Sequence, residues 1–216
     1  MRVILASASP ARLGVLRAAG LDPVVEVSEV DEDAVLATLR GAPPGKVVTA
    51  LACAKAATVA ERVNRRYPVA VLLGCDSMLS VHGELVGKPG TADIARRRWA
   101  RMAGQTGELV TGHAVVALVG GTVHKVAARH ASTTVRFGTP SAAELDAYLG
   151  SGEPLAVAGA FTLDGLGGWF VDGIDGDPSN VIGISLPLVR TLLAEVGIRV
   201  TDLWRPRSGP EGGQQD

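Results

Sequence analysis

Ser7-Ala8-Ser9-Pro10-Ala11-Arg12 lies where a short apolar run gives way to the start of a helix, and no other segment of this chain is better suited to hold an anion. Free backbone N–H groups and the positive end of a helix dipole collect there, and Arg12 adds a fixed cation. The same residues also make an ordinary capped turn, so the segment alone leaves both readings open. Asp76 is the second candidate. It closes the apolar run Val69 to Cys75, at the kind of strand end where open α/β sheets place their ligands. A carboxylate left there without a partner is costly, so Asp76 must face a cleft, meet a cation, bind a metal or cap the next turn. Glu32, in the acidic run Glu29-Val30-Asp31-Glu32-Asp33, offers a second hard oxygen, although such a run also reads as a solvated loop.

Lysine is scarce: 4 residues (Lys46, Lys55, Lys88 and Lys125) against 17 arginines. Lys55 interrupts an apolar helix face in Ala52-Cys53-Ala54-Lys55-Ala56-Ala57, so it either snorkels to solvent or meets an anion. Lys88 sits between Gly87 and Pro89 on a stiff loop from which a side chain can be aimed. An anion loop, two carboxylates and two isolated lysines together fit a polyphosphate ester handled with a divalent metal.

Other chemistries fail on spacing. The chain has no Walker A or GxGxxG pattern and no GxSxG elbow. Gly165-Leu166-Gly167-Gly168 precedes a Trp-Phe-Val strand rather than a helix and reads as a turn. His82, His113, His124 and His130 lack metal spacing, and Cys53 and Cys75 lie in apolar runs and read as core. Arg96, Arg97, Arg98 and Arg101 spread around a helix at about 100° per residue and read as a solvated face. The 21 basic and 22 acidic residues nearly cancel, which excludes a general nucleic-acid binder. No stretch reaches the ~20 apolar residues of a membrane span, and the opening apolar run is too short for a signal peptide, so a soluble cytoplasmic protein is expected.

These side chains need elements to carry them. Val3 to Ala6 reads as a buried strand, Ser9 caps a helix that Gly20 stops, and Pro23 to Val27 reads as a second strand. An Ala-rich helix over about 46–63 carries Lys55, and Val69 to Cys75 forms a strand that ends at Asp76. Val81 and Glu84 to Val86 flank a hairpin at His82-Gly83, and Thr91 caps the next helix. Residues 106–135 read as antiparallel strands turning at Gly120-Gly121. Ser141 caps a helix over 142–149, a glycine-rich stretch fills 150–183, and a last helix covers about 186–195. Early alternation followed by hairpins means an α/β protein with a mixed sheet.

At the level of motifs the chain resembles the Maf family of nucleoside triphosphate pyrophosphatases, also called septum-formation inhibitors. The resemblance rests on Leu5 to Arg12, Val30-Asp31-Glu32, Ala54-Lys55-Ala56, Gly74-Cys75-Asp76-Ser77, Gly87-Lys88-Pro89 and Gly104-Gln105-Thr106. It continues through Ser151 to Pro154, Ala158 to Phe161, Asn180 to Gly183 and Leu186-Pro187-Leu188, in order over about residues 2 to 195. It implies an α/β fold with a mixed twisted sheet and two lobes around a central cleft, Maf/ITPase-like. A single domain over 1–204 is expected, with 205–216 as a disordered tail.

The implied activity is hydrolysis of a nucleoside triphosphate to the monophosphate and pyrophosphate, often by a homodimer. Asp76 would accept the proton of the attacking water, and Arg12, Lys55 and Lys88 would hold the phosphates. Ser7 and Ser9 would line the phosphate loop, and Glu32 with Asp76 would bind Mg²⁺ or Mn²⁺. Three substrate-binding positions depart from the family's branches. The pyrimidine branch has Arg, Thr and Gln where this chain has Ala11, Ser77 and Asp164, and the 7-methyl-GTP branch has an aromatic, Gln and Glu. A broader or different nucleotide range is therefore expected. The family's name also suggests another class of function, a regulatory binding protein in division arrest, for which no residues stand out.

Overall fold

Ser9 and Pro10 start the first helix as their types require. In the computed structural model, which describes residues 1–204, Ser9 Oγ accepts the Arg12 backbone N–H at 3.4 Å and Pro10 occupies the first turn. This helix, α1 (Pro10–Ala18), follows β1 (Arg2–Leu5), whose Ile4 and Leu5 are fully buried. The chain continues through β2 (Val24–Val25), α2 (Glu32–Ala37), α3 (Pro44–Val63), β3 (Ala70–Val81) and β4 (Glu84–Val86). Then come α4 (Ala92–Met102), β5 (Thr106–Val119), β6 (Thr122–Phe137) and α5 (Ala142–Gly150). Three short 3-10 turns lead to β7 (Val171–Asp175), α6 (Pro178–Ile182) and α7 (Leu186–Glu195).

The expected mixed sheet is present, in the order β2-β1-β3-β5-β6-β7 with β4 also on β3. The pairs β1–β2 and β1–β3 are parallel and the rest antiparallel. At one end, α1 and α7 bury Leu16, Leu192 and Leu193 against one face with Leu73 and Val115, and α3 buries Ala52, Ala56 and Val59 against the other with Leu72 and Val116. At the far end α4 and α5 build a separate aromatic core of Trp99, Phe137, Tyr148 and Phe161. No helix among the described residues is long and apolar enough to cross a membrane.

Four expectations need correction. β3 does not end at Asp76. Its β5 register runs unbroken from Ala70↔Leu118 to Ser80↔Glu108, because Leu79 and Val81 are buried in the far core and keep the strand extended. The acidic run is not all loop: Asp31 Oδ1 accepts the Ala34 N–H at 2.9 Å and starts α2, with Glu32 and Asp33 favourably placed in its first turn. The second strand is only Val24–Val25. Trp169 and Phe170 belong to the turn Leu166–Phe170, and the strand begins at Val171. The tail expected over 205–216 lies outside the described residues.

Candidate active site

The free stretch of β3 defines the site. β1 covers one edge of β3 at Ala70–Leu73, and β4 covers the same edge at Leu79–Val81. Between them the edge has no strand partner, and Asp76 lies in that gap. A buried carbonyl there needs a donor, and Arg12 supplies it: Nη1 donates to Cys75 O at 2.9 Å. Nη1 also donates to Ser7 Oγ at 3.0 Å, Nη2 to Ser77 Oγ at 3.0 Å, and Nε to Gly183 O at 2.8 Å. Of the five guanidinium N–H bonds, one is left over. Ser7 Oγ also accepts the Ser9 N–H at 3.2 Å, so both serines fold the loop around the guanidinium.

From Ser77 the bonds continue inward. Thr111 Oγ1 donates to Asn180 O at 3.2 Å, which commits its hydrogen, so Ser77 Oγ donates to Thr111 across their 2.9 Å contact. Asn180 is fully buried and its Nδ2 donates to Leu109 O and Thr133 Oγ1. Arg12 is thereby tied through β3 and β5 to α6.

Asp76 faces the opposite side of the sheet from Cys75 and Ser77, towards α3. Two glycines bring that helix close. A Cβ on Gly74 would stand 2.3 Å from Ala52 O, and one on Gly112, the cross-strand partner of Asp76, 2.1 Å from Val48 O. With the helix pressed onto the sheet, Lys55 Nζ reaches Asp76 Oδ1 at 2.6 Å and Glu32 Oε1 at 2.8 Å. The Lys55 and Asp76 side chains are each 11% exposed and that of Glu32 50%. Burial pushes the Asp76 carboxyl above its usual range, against the pull of Lys55 and Arg12, and Glu32 adds to the rise. The Cys75 thiol, wholly buried beside it, is pushed up to about 11 by the same loss of solvent, as befits a core residue.

The structure thus brings together Ser7, Ser9, Arg12, Glu32, Lys55, Asp76 and Ser77. Ala11 is half-buried on the first turn of α1. Lys88 and Asp164 are exposed and make no hydrogen bond or ion pair with this group among the described residues. The Lys88 loop is nonetheless firmly held: Gly87 O accepts the Gly159 N–H at 3.1 Å, and Gly90 N donates to Leu155 O at 3.0 Å. Half-buried Arg98 donates a further bond to Gly87 O. Its burial lowers its pKa. This overturns the reading of Arg98 as part of a solvated face, whereas Arg96 and Arg101 do make surface pairs with Asp146 and Glu84. Sequence reasoning also gave no role to Glu153, which accepts N–H bonds from Leu166 and Gly167 at 3.1 Å and fixes the loop carrying Asp164. The one sequence signal for it is its place in Ser151-Gly152-Glu153-Pro154, one of the segments that carry the family resemblance.

Glu32 and Asp76 converge on one nitrogen, the Lys55 ammonium, so both carboxylates face one small volume that a cation already occupies. Among the described residues no group of three or more His, Cys, Asp or Glu converges. Such a pair suits Mg²⁺, which commonly takes one or two carboxylates and completes its shell with water and substrate phosphates.

The "Maf-like protein" family model matches residues 2–196. A nucleoside triphosphate pyrophosphatase of Saccharopolyspora erythraea is 62% identical over 207 residues, covering 95% of this chain and 98% of the relative. One of Nocardia farcinica is 62% identical over 204 residues, with 94% and 96% covered. One of Rhodococcus erythropolis is 57% identical over 209 residues, with 96% and 98% covered. A match of this extent, on a sheet whose open edge presents the matched Asp76, makes the chain a member of the Maf family.

Proposed function

We propose that the protein hydrolyses nucleoside triphosphates to the monophosphate and pyrophosphate. The observation that carries this reading is the buried Asp76 held at 2.6 Å by Lys55 in the open edge of β3, with one oxygen left for a water. Water attacks the α-phosphorus, its proton passes to the free oxygen of Asp76, and the bond to the bridging β-oxygen breaks to release pyrophosphate. Burial raises the affinity of Asp76 for that proton, which brings the base nearer to working pH. Lys55, Lys88 and the remaining N–H of Arg12 neutralise the phosphates, and the Ser7–Ser9 loop lies against them. Glu32 and Asp76 hold Mg²⁺ or Mn²⁺, which when bound supplies charge to the phosphate oxygens and acidifies water. The enzyme acts as a cytoplasmic homodimer on free nucleotides, with residues 1–204 as the catalytic domain.

Ala11, Ser77 and Asp164 set the base preference. Ser77 lacks the methyl group of the family's threonine and is engaged by Arg12 and Thr111, so it leaves space rather than a new donor. The range is therefore broad or unlike that of the pyrimidine branch. The test is product analysis over a panel of normal and modified triphosphates, in the wild type and in Asp76→Asn. Pyrophosphate release should fall by about 10²–10⁴-fold in the variant. Undiminished turnover would overturn the mechanism, and strong selectivity for dTTP would overturn the assigned range. Division arrest that persisted in Asp76→Asn would favour a binding role.

A further inference from the structure

We propose that the Lys55 ammonium is the resting counter-ion of the metal position, and that it must leave the Glu32–Asp76 pair before a divalent cation can bridge it. This rests on the reading of those carboxylates as the metal ligands. Lys55 Nζ stands between them, 2.8 Å from Glu32 and 2.6 Å from Asp76, where a shared cation would be drawn. Two buried or half-buried carboxylates facing each other need positive charge, and one lysine supplies it when nothing is bound. A metal arriving alone would meet that ammonium at close range and gain little. A triphosphate changes the balance, because its oxygens offer Lys55 an alternative anionic partner while its own metal takes the carboxylates. Metal and triphosphate therefore bind cooperatively, and neither is held strongly without the other.

The residue type fits this exchange. In a chain with 17 arginines and 4 lysines, an arginine here would grip both carboxylates in a planar fork. Lysine is a single compact charge on a flexible stem, and it can change partners without leaving the site. The stem is buried in the middle of α3, so the exchange takes a rotation of the last bonds rather than a movement of the helix.

The experiment measures Mn²⁺ binding without nucleotide, by calorimetry and by the loss of the free-ion paramagnetic resonance signal. Wild-type protein should bind Mn²⁺ weakly, and Lys55→Met should bind it at least about tenfold more tightly. A non-hydrolysable triphosphate should tighten Mn²⁺ binding in the wild type and far less in Lys55→Met. Lys55→Gln serves as a second variant, with circular dichroism checking the fold of each. Adding Glu32→Gln to either variant should remove the gain. Folded variants that bind Mn²⁺ no better than the wild type, while chelation still abolishes turnover, would overturn this inference alone. Turnover that survives removal of every divalent cation would overturn the metal reading and this inference with it.

Discussion

Arg12 Nη2 donates to Ser77 Oγ at 3.0 Å and Nη1 to the Cys75 carbonyl at 2.9 Å, so one guanidinium grips both chain neighbours of Asp76. The arrangement fixes the backbone on either side of the base while leaving its carboxylate to Lys55. Most of the arginine's hydrogen-bonding capacity is spent on this frame and on Gly183, and only one N–H is left over.

Replacing the fork by a point charge tests that division of labour. Arg12→Lys keeps the charge but cannot reach Ser7, Cys75, Ser77 and Gly183 together. It should lose about 2–4 kcal/mol of stability and at least about tenfold in kcat, because buried acceptors are left unmet and Asp76 is no longer held in register. Thermal unfolding and steady-state kinetics read the two effects. A variant with wild-type kcat and only a raised KM would show that Arg12 acts on phosphate and not on the frame.

The contact between α3 and the sheet can be probed at one atom. In Gly112→Ala the new methyl would meet Val48 O at 2.1 Å and Thr49 N at 2.5 Å, both backbone, so the helix itself must lift. The cost should be about 3 kcal/mol, with loss of activity as Lys55 moves off Asp76. Gly14→Ala, on α1 with nothing within 4 Å of the added carbon, should instead stabilise by up to ~1 kcal/mol. Denaturant titration of both variants checks the sign as well as the size.

His113 gives the protein an acid limit. It is fully buried and its Nε2 accepts the Ser185 N–H at 2.7 Å. Burial first, and Arg12 next, push its pKa down to about 4. The unfolded chain takes up a proton near pH 6.5 that the native state refuses, so this stability is complete above pH 6.5 and is lost as pH falls towards 4. The window is worth about 3 kcal/mol at most. His113→Gln retains an acceptor for Ser185, and its stability should fall less steeply from pH 6.5 to 4. An unchanged slope would show that other groups set the acid limit.

Much of this site was legible because it depends on local chemistry. Ser9 and Pro10 read as a helix start, Lys55 in an alanine-rich face had to reach solvent or an anion, and Asp76 after an apolar run had to face a cleft, meet a cation or metal, or cap a turn; the structure pairs the last two with each other. What could not be read was partnership over distance. The bond from Arg12 to Gly183 spans 171 residues, and nothing near Arg12 announces that its donors are spent on backbone. The continuation of β3 past Asp76 was hidden for the same reason, since Leu79 and Val81 gain their burial from α4 and the far core. Arg98 was misread because periodicity places side chains around a helix without revealing that Gly87 waits on one side. The acidic run hid a helix start, because an N-cap and a solvated loop draw on the same residue types.

β3 feeds both ends of the molecule. Leu72 and Leu73 pack into the cores beneath α3 and α7, Leu79 and Val81 into the aromatic core, and Asp76 falls between them on an unbroken ladder with β5. A hinge that broke β3 there would have to tear that ladder, so any approach of the two ends must come from bending of the continuous sheet. Adjustment falls to the exposed side chains of Glu32 and Lys88, and the base itself works as a stationary anvil.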